Sequence, residues 1–214
     1  MFSDHFVSSS QMDGISDLHE ARLDQVVSRL KASGARRILD LGCGSGQLLH
    51  RLAGEKQFKE IVGLESCPLA LTKARQLLED YMPDRLAQLT LINGSYTEPQ
   101  ESLSGYDALA MVETIEHVKP NLLSAAEQVV FGSMRPGVVF LTTPNREYNP
   151  LYGLGPNEFR ERDHKFEWNR AKFSQWAHGV ARRNGYRVLL GGIGEEDPEL
   201  GAPTQTAYFS RQGD

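Results

Sequence analysis

The sequence predicts an α/β fold with a doubly wound, mostly parallel seven-stranded sheet and helices on both faces. Two observations predict it. Short apolar runs alternate with stretches of helical period over most of the chain, and the first such run leads through a glycine-rich turn into a helix, the opening of a βαβ unit. The 214 residues are 40% hydrophobic and 24% charged, which fits one hydrophobic core and excludes a disordered or collagen-like chain. No run approaches the roughly 18 apolar residues of a membrane helix, and the start MFSDHFVSSSQMDG lacks a basic then apolar leader, so a soluble, cytoplasmic protein is expected. Cys43 and Cys67 are too few for a disulfide scaffold and form no CxxC pair; reduced thiols are the default.

Each element has its own justification. Leu23, Val26, Val27 and Leu30 recur at helical spacing up to Gly34, so residues 1–34 read as an N-terminal segment and amphipathic helix packed on a domain of residues 35–214. RRILDLG at 36–42 is a strand, CGSG a turn and QLLHRLAG a helix. EIVGLE is the second strand, followed by a helix from Pro68, a favoured first helical residue, to about Tyr81. AQLTLIN and YDALAMVE supply the third and fourth strands, NLLSAAEQVVFG a helix and GVVFLTT the fifth strand. Residues 145–167 are aromatic, charged and rich in Gly and Pro, a long surface excursion of the kind that is usually functional. Phe173, Trp176, Ala177 and Val180 return to helical spacing, with Trp176 on the apolar face. RVLLGG and TQTAYFS complete the sheet.

The net charge of −5 argues against a nucleic-acid partner until it is resolved by position. Residues 135–187 hold ten basic side chains against five acidic ones, and the remainder is acidic. That polarity could steer an anion to one face, or be an ordinary solvated surface.

Asp40-Leu41-Gly42-Cys43-Gly44-Ser45-Gly46 departs from the G-x-G-x-x-G spacing that seats a pyrophosphate. Asp40 would repel a phosphate and suits a cationic amino-acid group. S-adenosylmethionine, with an ammonium and a sulfonium and no phosphate, matches that demand. Gly42, Gly44 and Gly46 let the backbone approach it. Glu65, with Ser66 beside it, ends the second strand where ribose hydroxyls would be bound. This stretch resembles the class I methyltransferases, whose fold is Rossmann-like. In that family Asn93, Gly94 and Ser95 would fall beside the adenine, although a plain polar turn explains them equally.

Glu113, Glu116 and His117 stand at i, i+3 and i+4 after the fourth strand, a spacing that on a helical turn places two carboxylates and an imidazole on one face. Solvation of a helix start explains the same residues. Within the excursion, His164 could supply a fourth ligand, leaving two open positions on an octahedral metal for a vicinal diol. A mixed nitrogen and oxygen set suits Mn²⁺ better than Mg²⁺.

E-x-x-E-H-V at 113–118, TPNREYN at 143–149 and DHKFEW at 163–168, in this order, resemble the catalytic domain of the small-RNA 3′-terminal ribose 2′-O-methyltransferases, the HUA-enhancer family. The resemblance covers nearly everything from residue 36 to residue 209. It implies one divalent metal, Mg²⁺ or Mn²⁺, on Glu113, Glu116, His117 and His164, and methyl transfer from S-adenosylmethionine to the 2′-hydroxyl of an RNA 3′ end. Both terminal hydroxyls would meet the metal, and His117 or another nearby base would take the proton. It implies no DNA or membrane partner. An appended RNA-binding or partner-binding domain is missing from the sequence, which leaves RNA selection and any RNA-repair partner open and predicts a grip on only a short 3′ end. Asn145 could line the ribose pocket or shape its turn. Arg146, Arg160, Arg162 and Lys165 are phosphate contacts or solvated loop charge. Tyr148, Phe166 and Trp168 would stack on a base or, for the last two, anchor the loop. His5, His19, His50 and His178 have no partner pattern. Two other functions fit: a small-molecule O-methyltransferase acting on a quinol or catechol-like compound, and a non-catalytic S-adenosylmethionine-binding RNA module.

Overall fold

A computed structural model describes residues 9–213, with side chains from residue 17 onward; His5 lies outside the described residues. In chain order the elements are α1 (Ser9–Ala32), β1 (Arg37–Leu41), α2 (Gln47–Gly54), β2 (Glu60–Glu65), α3 (Pro68–Tyr81), β3 (Leu89–Asn93), β4 (Ala108–Val112), α4 (Leu123–Glu127), β5 (Val138–Pro144), α5 (Arg170–Asn184), β6 (Tyr186–Ile193) and β7 (Thr204–Arg211). The expected strands and helices all form. The helix expected over 121–132 is only α-helical as far as Glu127; Gln128–Met134 winds more widely as a π-helix and ends at Arg135 in a left-handed conformation.

The strands line up as β3-β2-β1-β4-β5-β7-β6. All neighbours are parallel except β7, which runs antiparallel between β5 and β6. The five parallel strands are apolar almost throughout because both faces are covered, as alternation of side chains across a strand demands. Ile38, Ile61, Ala108, Ala110 and Phe140 face one way, against Val26 and Leu30 of α1, Leu49 and Leu52 of α2 and Leu78 of α3. Leu39, Leu64, Leu109, Met111 and Leu141 face the other way, toward Val129 and Phe131 of the π-helix and Phe173, Ala177 and Val180 of α5. Trp168 is buried in this second layer, and Trp176 and Phe166 pack on its margin. No helix among the described residues is long and apolar enough to cross a membrane.

Strand order reverses between β1 and β4, which pair directly, with Asp40 opposite Ala110. At such a reversal the connections leave in opposite directions and open a crevice at the carboxyl ends of the strands. Every candidate site residue except His164 and Asn145 sits on or just after a carboxyl end of β1 to β4.

Candidate active site

The cofactor side is shaped by backbone. Beyond β1, the amides of Gly42 and Cys43 both donate to the Leu64 carbonyl, 2.8 and 3.2 Å away, folding the loop back over β2. Gly42 has φ +73°, and a Cβ there would stand 2.6 Å from Thr114 Cγ2. Gly46, at φ +87°, would bring a Cβ within 2.9 Å of Ala74 in α3. Both positions therefore demand glycine on conformation and on space. A Cβ on Gly44 would meet nothing within 4 Å, so that side of the loop is open to a ligand.

Asp40 is 2% exposed, and its Oδ2 is buried with no hydrogen-bond partner. Burial, reinforced by the charge of Glu65, pushes its pKa up to about 7. A carboxylate so placed asks for a cation. Glu65 meanwhile braces the loops around it. Its Oε2 accepts from the Gly44 amide at 2.9 Å, and its Oε1 accepts from the Cys67 amide at 2.7 Å and lies 3.4 Å from Ser66 Oγ. Gly94 donates its amide to the Glu65 carbonyl, so the β3 loop is tied to the same spot. The Ser95 hydroxyl is engaged within its own turn, by Thr97 Oγ1 at 2.7 Å and the Thr97 amide at 3.1 Å.

The second side is built from side chains. Only Ile115–His117 forms a helical turn, of 3-10 type, and Glu113 before it has a left-handed φ of +50°. The one-face arrangement expected of Glu113, Glu116 and His117 therefore does not form. Glu113 turns its Oε1 to accept from Thr142 Oγ1 at 2.8 Å and places its Oε2 3.8 Å from Arg22 of α1. Glu116, His117 and His164 come together instead, one potential ligand atom of each lying within 4.8 Å of the others.

Glu116 is fully buried; its Oε2 accepts from Thr143 Oγ1 at 3.0 Å, and its Oε1 has no partner. Burial and the neighbouring Glu113 raise its pKa well above the usual carboxylate range. His117 Nδ1 is 3.0 Å from Asp163 Oδ2, and His164 Nδ1 is 2.6 Å from Glu167 Oε1. With each Nδ1 bound to a carboxylate, each Nε2 is left free to bind a metal, the arrangement that orients metal-binding imidazoles. Burial lowers the His117 pKa against the opposing pull of Asp163, which keeps the ring neutral and available as a ligand. The unpartnered Glu116 oxygen and two oriented imidazoles thus fit one divalent ion, and two nitrogen ligands suit Mg²⁺ poorly.

The excursion is fastened to this centre. Lys165 donates its amide to the Glu116 carbonyl at 2.8 Å. Glu167, which the sequence reading left without a role, accepts from the Arg160 amide at 2.7 Å and from Asn149 Nδ2 at 2.5 Å besides its contact with His164. Burial works to raise its pKa, but these bonds outweigh it and hold the group below its ordinary value. The i, i+3 spacing of His164 and Glu167 was the available signal.

Several expectations need correction. Asn145 is fully buried, donates its amide to the carbonyls of Leu200 and Ala202 and accepts from the Glu147 amide, so it shapes the turn and has no group to spare for a ribose. Arg160 is not a phosphate contact: its guanidinium donates to Asn149 Oδ1 and the Asn145 carbonyl inside the loop. Arg146 is likewise committed, to the Pro156 carbonyl and the Phe159 ring. Arg162 and Lys165 are exposed. Tyr148 and Trp168 are buried, which removes both from base stacking.

A methyltransferase-domain family model matches residues 39–140. The methyltransferase domain of bacterial CtHen1 is 39% identical, with a TM-score of 0.82 over 90% of this chain and 99% of that one. The crystal structure of the small RNA methyltransferase HEN1 aligns with a TM-score of 0.86 at 28% identity, covering all of this chain and 27% of that one. The small RNA 2′-O-methyltransferase of Xenopus tropicalis is 35% identical over 91% of this chain and 55% of its own length. The chain spans about half the length of the curated relatives it matches. The resemblance read from E-x-x-E-H-V, TPNREYN and DHKFEW thus holds along the chain, which belongs to the small RNA 2′-O-methyltransferase family through its methyltransferase domain.

Proposed function

We propose that this protein transfers a methyl group from S-adenosylmethionine to the 2′-hydroxyl of the 3′-terminal ribose of an RNA whose 2′ and 3′ hydroxyls are both free, with one divalent metal, Mg²⁺ or Mn²⁺. The observation that carries this reading is the pair of buried carboxylates on β1 and beyond the adjacent β4, Asp40 and Glu116, each with an oxygen that has no hydrogen-bond partner. One asks for an organic cation, the other for a metal ion that it shares with two imidazoles.

Asp40 would hold the ammonium of the methionine part, which gives its Oδ2 the partner it lacks. Glu65 would receive the ribose hydroxyls, and the open face of Gly44 leaves room for the ligand against the loop. Glu116, His117 and His164 would hold the ion. Glu113 would complete the set only if its carboxylate left Thr142 and Arg22, which hold it at 2.8 and 3.8 Å. When bound, the ion supplies Lewis-acid activation of a hydroxyl, and S-adenosylmethionine supplies an electrophilic methyl. His117, with Nδ1 on Asp163, would offer Nε2 to the ion and would then have no free nitrogen to act as the base. The residues' main contribution is to orient the two reactants, since methyl transfer asks for little covalent help from the protein.

The test is methyl incorporation into three RNAs of one sequence, ending in 2′-OH/3′-OH, in 2′-deoxy/3′-OH or in 3′-phosphate, each with and without EDTA. Only the first should be methylated, and only with metal. Equal incorporation into all three would reject terminal-ribose chemistry, and activity on a quinol but on no RNA would favour a small-molecule methyltransferase.

A further inference from the structure

A second feature lies beside the metal-binding trio and has no part in the chemistry above. Between the start of α4 and the outer face of α5 runs an open groove of about 360 Å³. Pro120 and Leu123 form one wall; Phe166, Trp168 and Trp176 form the floor, with Lys172 on the rim. Its upper end is close to the site in sequence on both sides: Pro120 follows His117 by three positions, and Phe166 follows His164 by two.

The floor is a rank of rings. Phe166 and Trp168 stack at 4.5 Å with planes 28° apart, and Trp168 and Trp176 lie 4.9 Å apart at 35°. Trp168 is buried among them, but Phe166 and Trp176 are half-exposed. A partly exposed flat aromatic surface of this kind is what a nucleobase can stack on, whatever its sequence.

The charged side chains that line the groove, Lys172 and Arg183, are both basic, and Arg183 is neutralised by Glu127. None of its lining residues among the described ones is acidic. Helix α5, RAKFSQWAHGVARRN, contains no Asp or Glu. Lys172 on the rim is exposed, as are Lys119 and Lys165, the sequence neighbours of the lining residues Pro120 and Phe166; none takes part in an ion pair among the described residues, whereas Arg170 and Arg183 are both paired with glutamates. Unpaired ammonium groups flanking an aromatic floor complement a single strand, whose phosphates run along its edge while its bases turn inward.

We infer that the strand upstream of the reacting nucleotide leaves the active site along this groove, its bases against Phe166 and Trp176 and its phosphates near Lys119 and Lys172. The inference rests on the terminal-ribose reading of the site and adds the path of the substrate to it. It keeps the stacking role that the sequence offered for Phe166 and adds Trp176, Lys119 and Lys172 to it.

The experiment compares the wild type with Lys119→Glu/Lys172→Glu and with Trp176→Leu, the latter keeping an apolar side chain at the packed position. Each is assayed on a dinucleotide and on a single-stranded RNA of a dozen nucleotides, and the binding of the labelled longer strand is followed by anisotropy as salt is raised. In the wild type the longer strand should have the lower KM. The charge reversal should shrink that advantage about tenfold or more and reduce the slope of log affinity against log salt by at least about 1.4, as expected for two lost phosphate contacts on a single strand. Trp176→Leu should shrink the advantage without changing the salt slope. Unchanged long-strand affinity and salt slope in both variants would overturn the groove. If the wild type methylates no RNA 3′ end, the terminal-ribose reading fails by itself, and the anisotropy series still decides whether the groove binds a strand.

Discussion

The two sides of the crevice solve a similar problem by different means. Each contains a buried carboxylate with an unpartnered oxygen, Asp40 on β1 and Glu116 after β4. On the Asp40 side the surroundings are mostly main chain: amides of Gly42, Cys43 and Gly44 bound to Leu64 and Glu65, with partners as near in sequence as the 21 positions between Gly44 and Glu65. On the Glu116 side the surroundings are side chains brought from β5 and the excursion, namely Thr143, His164, Glu167 and Asn149. Backbone geometry survives most substitutions, whereas a side-chain network is lost one member at a time. The second side should therefore be the more fragile to single changes, and the two sides should fail separately.

The largest expected effect is at Glu116. Glu116→Gln removes the anionic ligand and should lower kcat by about three orders of magnitude, the several kcal/mol a metal contributes to such a reaction. Calorimetric affinity for S-adenosylmethionine should stay within about twofold. The apo variant should also melt higher than the wild type at neutral pH, because burial raises the Glu116 pKa and that shift costs the folded state stability that glutamine does not lose. A comparable loss of cofactor affinity would show that the two sides are one cooperative unit.

The reciprocal change comes next. Asp40→Asn should weaken S-adenosylmethionine binding by about 10- to 100-fold, the range for a hydrogen bond to a charged group, while Mn²⁺ binding is kept. Unaltered cofactor affinity would remove Asp40 from the site.

Glu167→Gln sharpens the comparison further, since Glu167 orients His164 without being a ligand itself. It should cost about 10- to 100-fold in metal affinity and be rescued by excess Mn²⁺. Failure of rescue, with the fold intact by circular dichroism, would mean that the contact serves the loop and not the metal.

The smallest effect concerns pH. Asp40 has its pKa pushed up to about 7 from an ordinary 3.8, so the folded protein holds that proton more tightly than the unfolded chain. The cofactor-free protein should accordingly lose stability as pH rises from about 4 to 7 and level off above that. An ammonium partner relieves the cost. The thermal stabilisation given by S-adenosylmethionine should therefore grow by a few degrees across this window, and Asp40→Asn should flatten the trend.

The contrast also explains what could be read in advance. The strand, turn and helix around Gly42 to Gly46 and the acidic end of β2 are local patterns in which each residue type has a physical reason close by in sequence, and they stand where expected. Glu113 was misplaced because its i, i+3, i+4 spacing presumes a helix, whereas a left-handed φ and Thr142 on the neighbouring strand direct its carboxylate elsewhere. The alternatives open for Asn145 and Arg160 could not be settled in advance for a related reason. Their partners, Leu200, Ala202 and Asn149, meet them only after β7 and the excursion have folded back.

By itself the sequence determined the α/β alternation, the glycine loop and the family, because periodicity, turn chemistry and motif order are properties of neighbouring residues. The tertiary structure alone decided that Glu113 stands apart from Glu116, His117 and His164, that Glu167 and Asp163 hold the two imidazoles, and that a groove floored by rings opens between α4 and α5. Those arrangements depend on which side chains strands β4, β5 and β7 bring within hydrogen-bonding distance, and on the burial that leaves one oxygen of Glu116 without a partner.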